Sequence, residues 1–150
     1  SSKDVDYALI SSIDGIRCPL CNLCRGHCFI QYIMCSMSDT IFHKIISREI
    51  PATIEFENDT LIVIRDINPQ APFHCLIIPK KTIRSIQQLE PEDSHILMEM
   101  ISTAQKLAKD NGFDSKGYRL IMNCEEWGGQ TVFQLHMHML AGTHLSGGFA

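Results

Sequence analysis

Two imidazoles one residue apart, His136 and His138, lie in the stretch GGQTVFQLHMHML at residues 128–140. Neutral imidazole is nucleophilic near neutral pH because its unperturbed pKa is about 6.5. Two of them on one surface can attack a phosphorus centre and assist the group that departs. In a strand, residues two apart share a face, so from Thr131 onward the alternation turns Gln134, His136 and His138 one way. Phe133, Leu135, Met137 and Met139 turn the other way, and an apolar face that continuous belongs against a core. Gly128, Gly129, Gln130 and Thr131 come just before. Glycine lets a backbone approach a ligand closely, and successive N–H groups can cradle an anion. The stretch therefore offers a phosphate-sized cradle a few residues from two histidines. The competing reading is a half-exposed strand whose polar face happens to carry histidine.

The elements that must position these residues are legible around it. Residues 40–50 show helical apolar spacing, with Asp39 or Thr40 as cap, and must end before Pro51. Residues 53–57 and 61–65 alternate about Asn58, Asp59 and Thr60 and predict a hairpin. Residues 66–72 are too rich in proline and turn formers for a central strand, and residues 73–81 then form a short apolar one. The long helix is placed over 89–110, with Pro91 in its first turn, an apolar stripe through Leu97, Met100, Ile101, Ala104, Leu107 and Ala108, and a stop at Asn111 and Gly112. His95 belongs to its surface. Residues 118–123 form a strand that leads into the histidine segment.

The chain has 150 residues, 45% of them hydrophobic, which is one domain's worth with a core of its own. A formal net charge of −4 gives no electrostatic footprint for a nucleic-acid backbone. Neither a membrane span nor a secretory signal is legible, so the expected location is cytoplasmic, with the nucleus as a further compartment, and no membrane partner is expected. Residues 1–36 read as a separate N-terminal extension and 37–150 as the domain proper. Five of the seven cysteines fall in the extension, and Cys18, Cys21, Cys24 and Cys28 are spaced C-x2-C-x2-C-x3-C. That spacing is found in ferredoxin-type clusters, but Phe29 replaces the usual following proline and no second cluster lies downstream. A zinc site including His27 is the other metal reading, and a disulfide would need an oxidising compartment. The weight falls on reduced thiols with no metal.

The stretch GGQTVFQLHMHML resembles the signature of the histidine-triad (HIT) superfamily, His-φ-His-φ-His-φ-φ with φ apolar. The branch it resembles is that of the histidine-triad nucleotide-binding proteins, small dimeric nucleoside phosphoramidases. Gln134 stands where that signature has its first histidine. IFHKIISREIP at 41–51 and DINPQAPFHCLIIPK at 66–80 match the same family in order, so the likeness covers about residues 40–142. It implies an α+β fold, an antiparallel sheet of about five strands with two helices, and a homodimer with one continuous sheet. His136 would be the nucleophile, oriented by the backbone carbonyl at Gln134, with His138 facing the same phosphate and His74 supporting the strand. Asn123, Gly129, Gln130 and Thr131 would hold the phosphate. Asp66 would accept hydrogen bonds from the ribose hydroxyls, and Phe42, Ile64 and Ile67 would line a slot for the base. Read alone, Asp66 is better taken as a turn cap and His74 as a core histidine, and it is the surrounding motif that reverses the preference. Some relatives bind structural zinc where this chain has Thr40, His43 and Thr82, so neither zinc nor any other cofactor is expected. The implied activity is hydrolysis of nucleoside 5′-phosphoramidates to a purine nucleoside monophosphate and an amine. The alternative is a nucleotide-binding scaffold whose altered triad retains only binding.

Overall fold

The computed structural model describes residues 40–147. Five antiparallel strands form one sheet in the order β1-β2-β3-β5-β4. In chain order the elements are α1 (Ile41–Ile46), β1 (Ile54–Glu57), β2 (Leu61–Arg65), β3 (Phe73–Pro79), α2 (Ser94–Asp110), β4 (Arg119–Ile121) and β5 (Met137–Ala141). The cysteine-bearing extension lies outside the described residues.

Helices cover both faces of the sheet, and that explains why β2 and β3 read as unbroken apolar runs rather than alternating ones. On one face Leu61, Val63, Cys75, Ile77, Met137 and Met139 pack with Met100, Ala104 and Leu107 of α2. On the other, Ile62, Ile64, Leu76 and Ile78 pack with Phe42 and Ile45 of α1. Period-2 alternation then assigns the histidines. Met137, Met139 and Ala141 of β5 face α2, so His138 faces the α1 side. His74 shares that side, since its neighbours Phe73 and Cys75 face α2. The register places His138 opposite Leu76 and His74 opposite Leu140, which makes the two imidazoles diagonal neighbours.

The hairpin, β3 and β4 fall where the pattern places them. Three boundaries differ. Helix α1 has only six residues: Thr40 is its N-cap, and Ser47 closes it by donating its N–H to the His43 carbonyl at 2.8 Å. The long helix begins at Ser94, because Pro91–Asp93 forms a tighter 3-10 turn ahead of it. Most consequential, β5 begins at Met137 and not at Thr131. The β3–β5 ladder ends at Ile77 opposite Met137, and the next N–H upstream that bonds, that of Leu135, goes to the Ile83 carbonyl at 2.7 Å. Gln134 and His136 therefore lie just ahead of the strand. Among the described residues no helix is long and apolar enough to cross a membrane.

Candidate active site

The histidines form a hydrogen-bonded set whose proton positions follow from one fixed donor. Gln70 N–H donates to His74 Nδ1 at 3.0 Å. A backbone amide can only donate, so in neutral His74 the proton sits on Nε2. His74 Nε2 lies 2.9 Å from His138 Nδ1 and donates to it. The ring proton of neutral His138 is then on Nε2. His136 is ordered from the other direction: its Nδ1 lies 2.7 Å from the Gln134 carbonyl oxygen, which can only accept. Nδ1 carries the proton and Nε2 keeps its lone pair. The His136 and His138 rings stand 5.1 Å apart between centroids, and Phe42 packs edge-on against His136 at 5.0 Å.

Burial keeps these rings neutral. Desolvation lowers the pKa of His136, partly offset by the bond to the Gln134 carbonyl and by Asp66. His138 is pushed down to about 4, first by desolvation and then by its two imidazole neighbours. His74 is also lowered by burial, against the pull of Asp66, whose Oδ2 is 3.5 Å from its Nε2. At neutral pH the site thus holds one free imidazole lone pair beside one outward N–H.

Asp66, His74 and His138 each bring a potential metal ligand atom within 4.8 Å of the others. The hydrogen bonds oppose that use. His74 would need Nε2 as its ligand atom while Nδ1 also accepts from Gln70, a demand only an imidazolate meets. Thr40, His43 and Thr82, the positions the family resemblance raised for zinc, supply one imidazole and no thiolate, so this donor set does not suit zinc either.

The loop ahead of the histidines is held mainly by side chains. Gln130 is buried, and its amide accepts from Glu125 N–H at 2.8 Å while donating to the carbonyls of Arg84 at 2.8 Å and Val132 at 3.0 Å. Glu125 takes a left-handed φ of 58°, and its carboxylate accepts from Arg84 at 3.1 Å and Ser85 at 3.1 Å. Arg84 stacks over the Phe133 ring at 4.2 Å. Gly129 has φ 76°, a conformation that favours glycine.

These contacts show what several of the expected site residues do within the protein itself. The backbone N–H groups of Gly129 and Gln130, expected to cradle phosphate, already donate to the carbonyls of Glu126 and Glu125 at 3.0 Å each. The Gln130 side-chain amide is an internal strut, with its three bonds directed to Glu125, Arg84 and Val132. Asn123 donates to the Gly129 carbonyl at 3.3 Å, whereas Thr131 is exposed. Asp66 does cap its turn, accepting from Asn68 N–H at 2.8 Å through Oδ1, which leaves Oδ2 toward His74. Phe42 and Ile64 are buried, whereas Ile67 is 96% exposed. The Gln134 side chain bonds to Thr40, away from His74. An open pocket of about 530 Å³ lies beside the site, lined by Thr40, Ile41, Thr82, Arg84, Thr131, Val132 and Phe133, and no histidine of the set lines it. The pattern gave no signal for the Arg84–Ser85–Glu125–Gln130 network or the Gln70 amide. These are single polar residues in loops, without periodicity.

A match to the HIT domain extends over residues 47–145. The chain belongs to the HIT family. It is 47% identical over 107 residues to the purine nucleoside phosphoramidase of Escherichia coli (strain K12), covering 71% of this chain and 90% of that protein. Among solved structures, a HIT family hydrolase from Clostridium thermocellum superposes with a TM-score of 0.72 at 44% identity, covering 75% of this chain and 98% of that one. A histidine triad protein from Clostridium difficile gives a TM-score of 0.70 at 41% identity, with 73% and 95% coverage. The five-stranded sheet with its two described helices is thus the HIT fold.

Proposed function

We propose that this HIT protein is a hydrolase that cleaves the phosphorus–nitrogen bond of purine nucleoside 5′-phosphoramidates through a transient nucleotidyl-histidine. The observation that carries this reading is the proton order of the site. His136 Nε2 holds a lone pair because its Nδ1–H is donated to the Gln134 carbonyl, and His138 presents an N–H beside it. A neutral nucleophile and an adjacent donor are what displacement at a charged phosphorus centre requires. The similarity to the E. coli phosphoramidase supports the substrate class.

In the proposed reaction His136 Nε2 attacks phosphorus and the bond to the amine breaks, the departing nitrogen taking up a proton from solvent. His138 Nε2–H bonds a phosphoryl oxygen as charge builds there. Water then attacks the nucleotidyl-imidazole, phosphorus leaves His136, and the second proton of that water returns to solvent. The cycle consumes one water and no net proton, and the imidazole returns unchanged. Asp66 receives the ribose hydroxyls, Phe42 and Ile64 floor the base site with Ile67 at its exposed rim, and Thr131 and Asn123 face the phosphate. A homodimer with one continuous sheet, joined through an end strand of each copy, belongs to the same reading. So does a HIT domain spanning 37–150, and a chain beginning at Met37 is expected to fold and turn over substrate.

Replacement of the first triad histidine by Gln134 does not by itself favour the scaffold alternative, because the group that orients His136 is a main-chain carbonyl. The deciding experiment is turnover of a fluorogenic adenosine 5′-phosphoramidate by the natural protein and by His136→Ala. Release of amine by the first and not the second supports the hydrolase. Adenylate binding without release by either would leave the scaffold.

A further inference from the structure

The carbonyl that orients the nucleophile lies outside any sheet ladder, so something other than β pairing must aim it. The Gln134–Leu135 peptide is held from two sides. Its N–H, on Leu135, donates to the Ile83 carbonyl at 2.7 Å, and its carbonyl accepts from His136 Nδ1 at 2.7 Å. The second hold is the Gln134 side chain, which is completely buried. Its Oε1 accepts a hydrogen bond from the Thr40 hydroxyl, while Nε2 has no partner among the described residues.

Thr40 is itself fixed. As N-cap of α1, its Oγ1 accepts from His43 N–H at 3.3 Å and lies 3.3 Å from His43 Nδ1. His43 Nε2 reaches the Thr82 hydroxyl at 2.6 Å. One donor order accounts for every bond in this chain: Thr82 O–H to His43 Nε2, His43 Nδ1–H to Thr40, Thr40 O–H to Gln134 Oε1. Thr82 adjoins Ile83, so both holds on the peptide return to the same two residues. The Gln134–Leu135 peptide is enclosed in a ring of contacts running Ile83, Leu135, Gln134, Thr40, His43, Thr82.

We propose that Thr40 is a positioning residue for the HIT nucleophile: its hydroxyl, through the buried Gln134 side chain, keeps the Gln134 carbonyl in line with His136 Nδ1. The Thr40 hydroxyl bonds to His43 and Gln134 and not to His136. It acts by limiting rotation of one peptide, so its loss should lower the rate of the attacking step and leave ground-state binding intact. The His43–Thr82 link keeps Thr40 from turning away. This rests on the phosphoramidase reading above only for its kinetic arm.

The test is a double-mutant cycle with Thr40→Val and Gln134→Met, and Thr40→Ser as the conservative control. Gln134→Met removes the side-chain link and keeps the helix cap, which separates positioning from a loss of α1. Each single change should lower kcat roughly five- to tenfold, the scale of one lost hydrogen bond, with KM within about twofold. The double variant should be no worse than the poorer single one, and Thr40→Ser should retain activity. The acid limb of the kcat profile should move to lower pH, because the carbonyl bond favours protonated His136. Independently of turnover, the His136 Nδ1–H resonance in nitrogen-15 NMR should shift or broaden in both single variants. Additive losses in the cycle, an unmoved acid limb with only a lower melting temperature, or an unchanged Nδ1–H resonance would overturn the proposal. An inactive natural protein whose Nδ1–H resonance still responds would sink the hydrolase reading and leave the positioning role standing.

Discussion

The central strands and the segment at 123–136 solve the same problem in opposite ways. In β2, β3 and β5 position comes from repetition: paired backbones, side chains at alternate faces, and residues such as Ile77 and Met139 with no exposure at all. In the neighbouring segment almost nothing repeats. A buried glutamine braces one turn, a carboxylate binds the braced residue to Arg84 and Ser85, and one peptide is held by Ile83 and Thr40. The sheet sets the direction of His74 and His138. The irregular segment sets the hydrogen-bond geometry of His136. Regular packing thus supplies stability, and individually placed polar contacts supply the reactive arrangement.

Variants can break this division, and the largest effect belongs to His136, the proposed nucleophile. His136→Asn removes the atom proposed to attack but keeps a polar side chain, so turnover should fall about 10⁴-fold or more while nucleotide binding persists. A residual rate within tenfold of the parent would place the nucleophile elsewhere. Gln130→Ala deletes three internal bonds of the loop without touching the sheet. Turnover should drop on the order of 10²-fold, since misplacement by about 1 Å has that scale, and far-ultraviolet circular dichroism should be unchanged. Loss of the whole fold would show that the two regions are not separable.

Smaller effects sharpen the contrast. Gln134→His should alter turnover by about tenfold or less, because the main-chain carbonyl is kept and the side-chain change is worth roughly one hydrogen bond. Restoration by more than a thousandfold in a variant of an inactive parent would make that side chain essential. The pH profile should be nearly flat between about 7.5 and 6.5, as both catalytic rings are neutral there, and fall only on the acid side of 6.5, the unperturbed value. The stability these rings contribute has the same sign. Their native pKa values lie below the unfolded value, so acid protonates the unfolded chain first. The contribution is complete above about 6.5 and is lost as pH falls toward the His138 value of about 4. Thermal melts across that range check it. Ile77→Ala, in the centre of the sheet, should cost about 2–5 kcal/mol of stability, yet change turnover at low temperature least of all.

What could be read in the sequence follows the same boundary. The hairpin about Asn58, the strand at β3 and the body of α2 were legible, because apolar periodicity is the signal that packing leaves in a chain. The site histidines were legible through their spacing and the HIT resemblance. Where the periodic signal was extended too far it misled: Gln134 and His136 alternate correctly with the strand but precede it, since β3 offers no further pairing there. The bracing role of the Gln130 side chain went unread for a related reason. Its amide faces inward to Glu125, Arg84 and Val132, a long-range choice that no local pattern records. Ile67 was grouped with Phe42 through the family resemblance alone, and its 96% exposure is a feature that resemblance did not indicate.

Glu125 carries a consequence of a different kind. Its backbone, at φ 58° and ψ −177°, occupies a region that is essentially glycine's own. A glycine there would relax the chain, yet it would also remove the carboxylate that Arg84 and Ser85 hold. Selection for heat resistance and selection for rate therefore pull in opposite directions at this one position. A lineage adapting to higher temperature would find the simplest gain in the place where it could least use it.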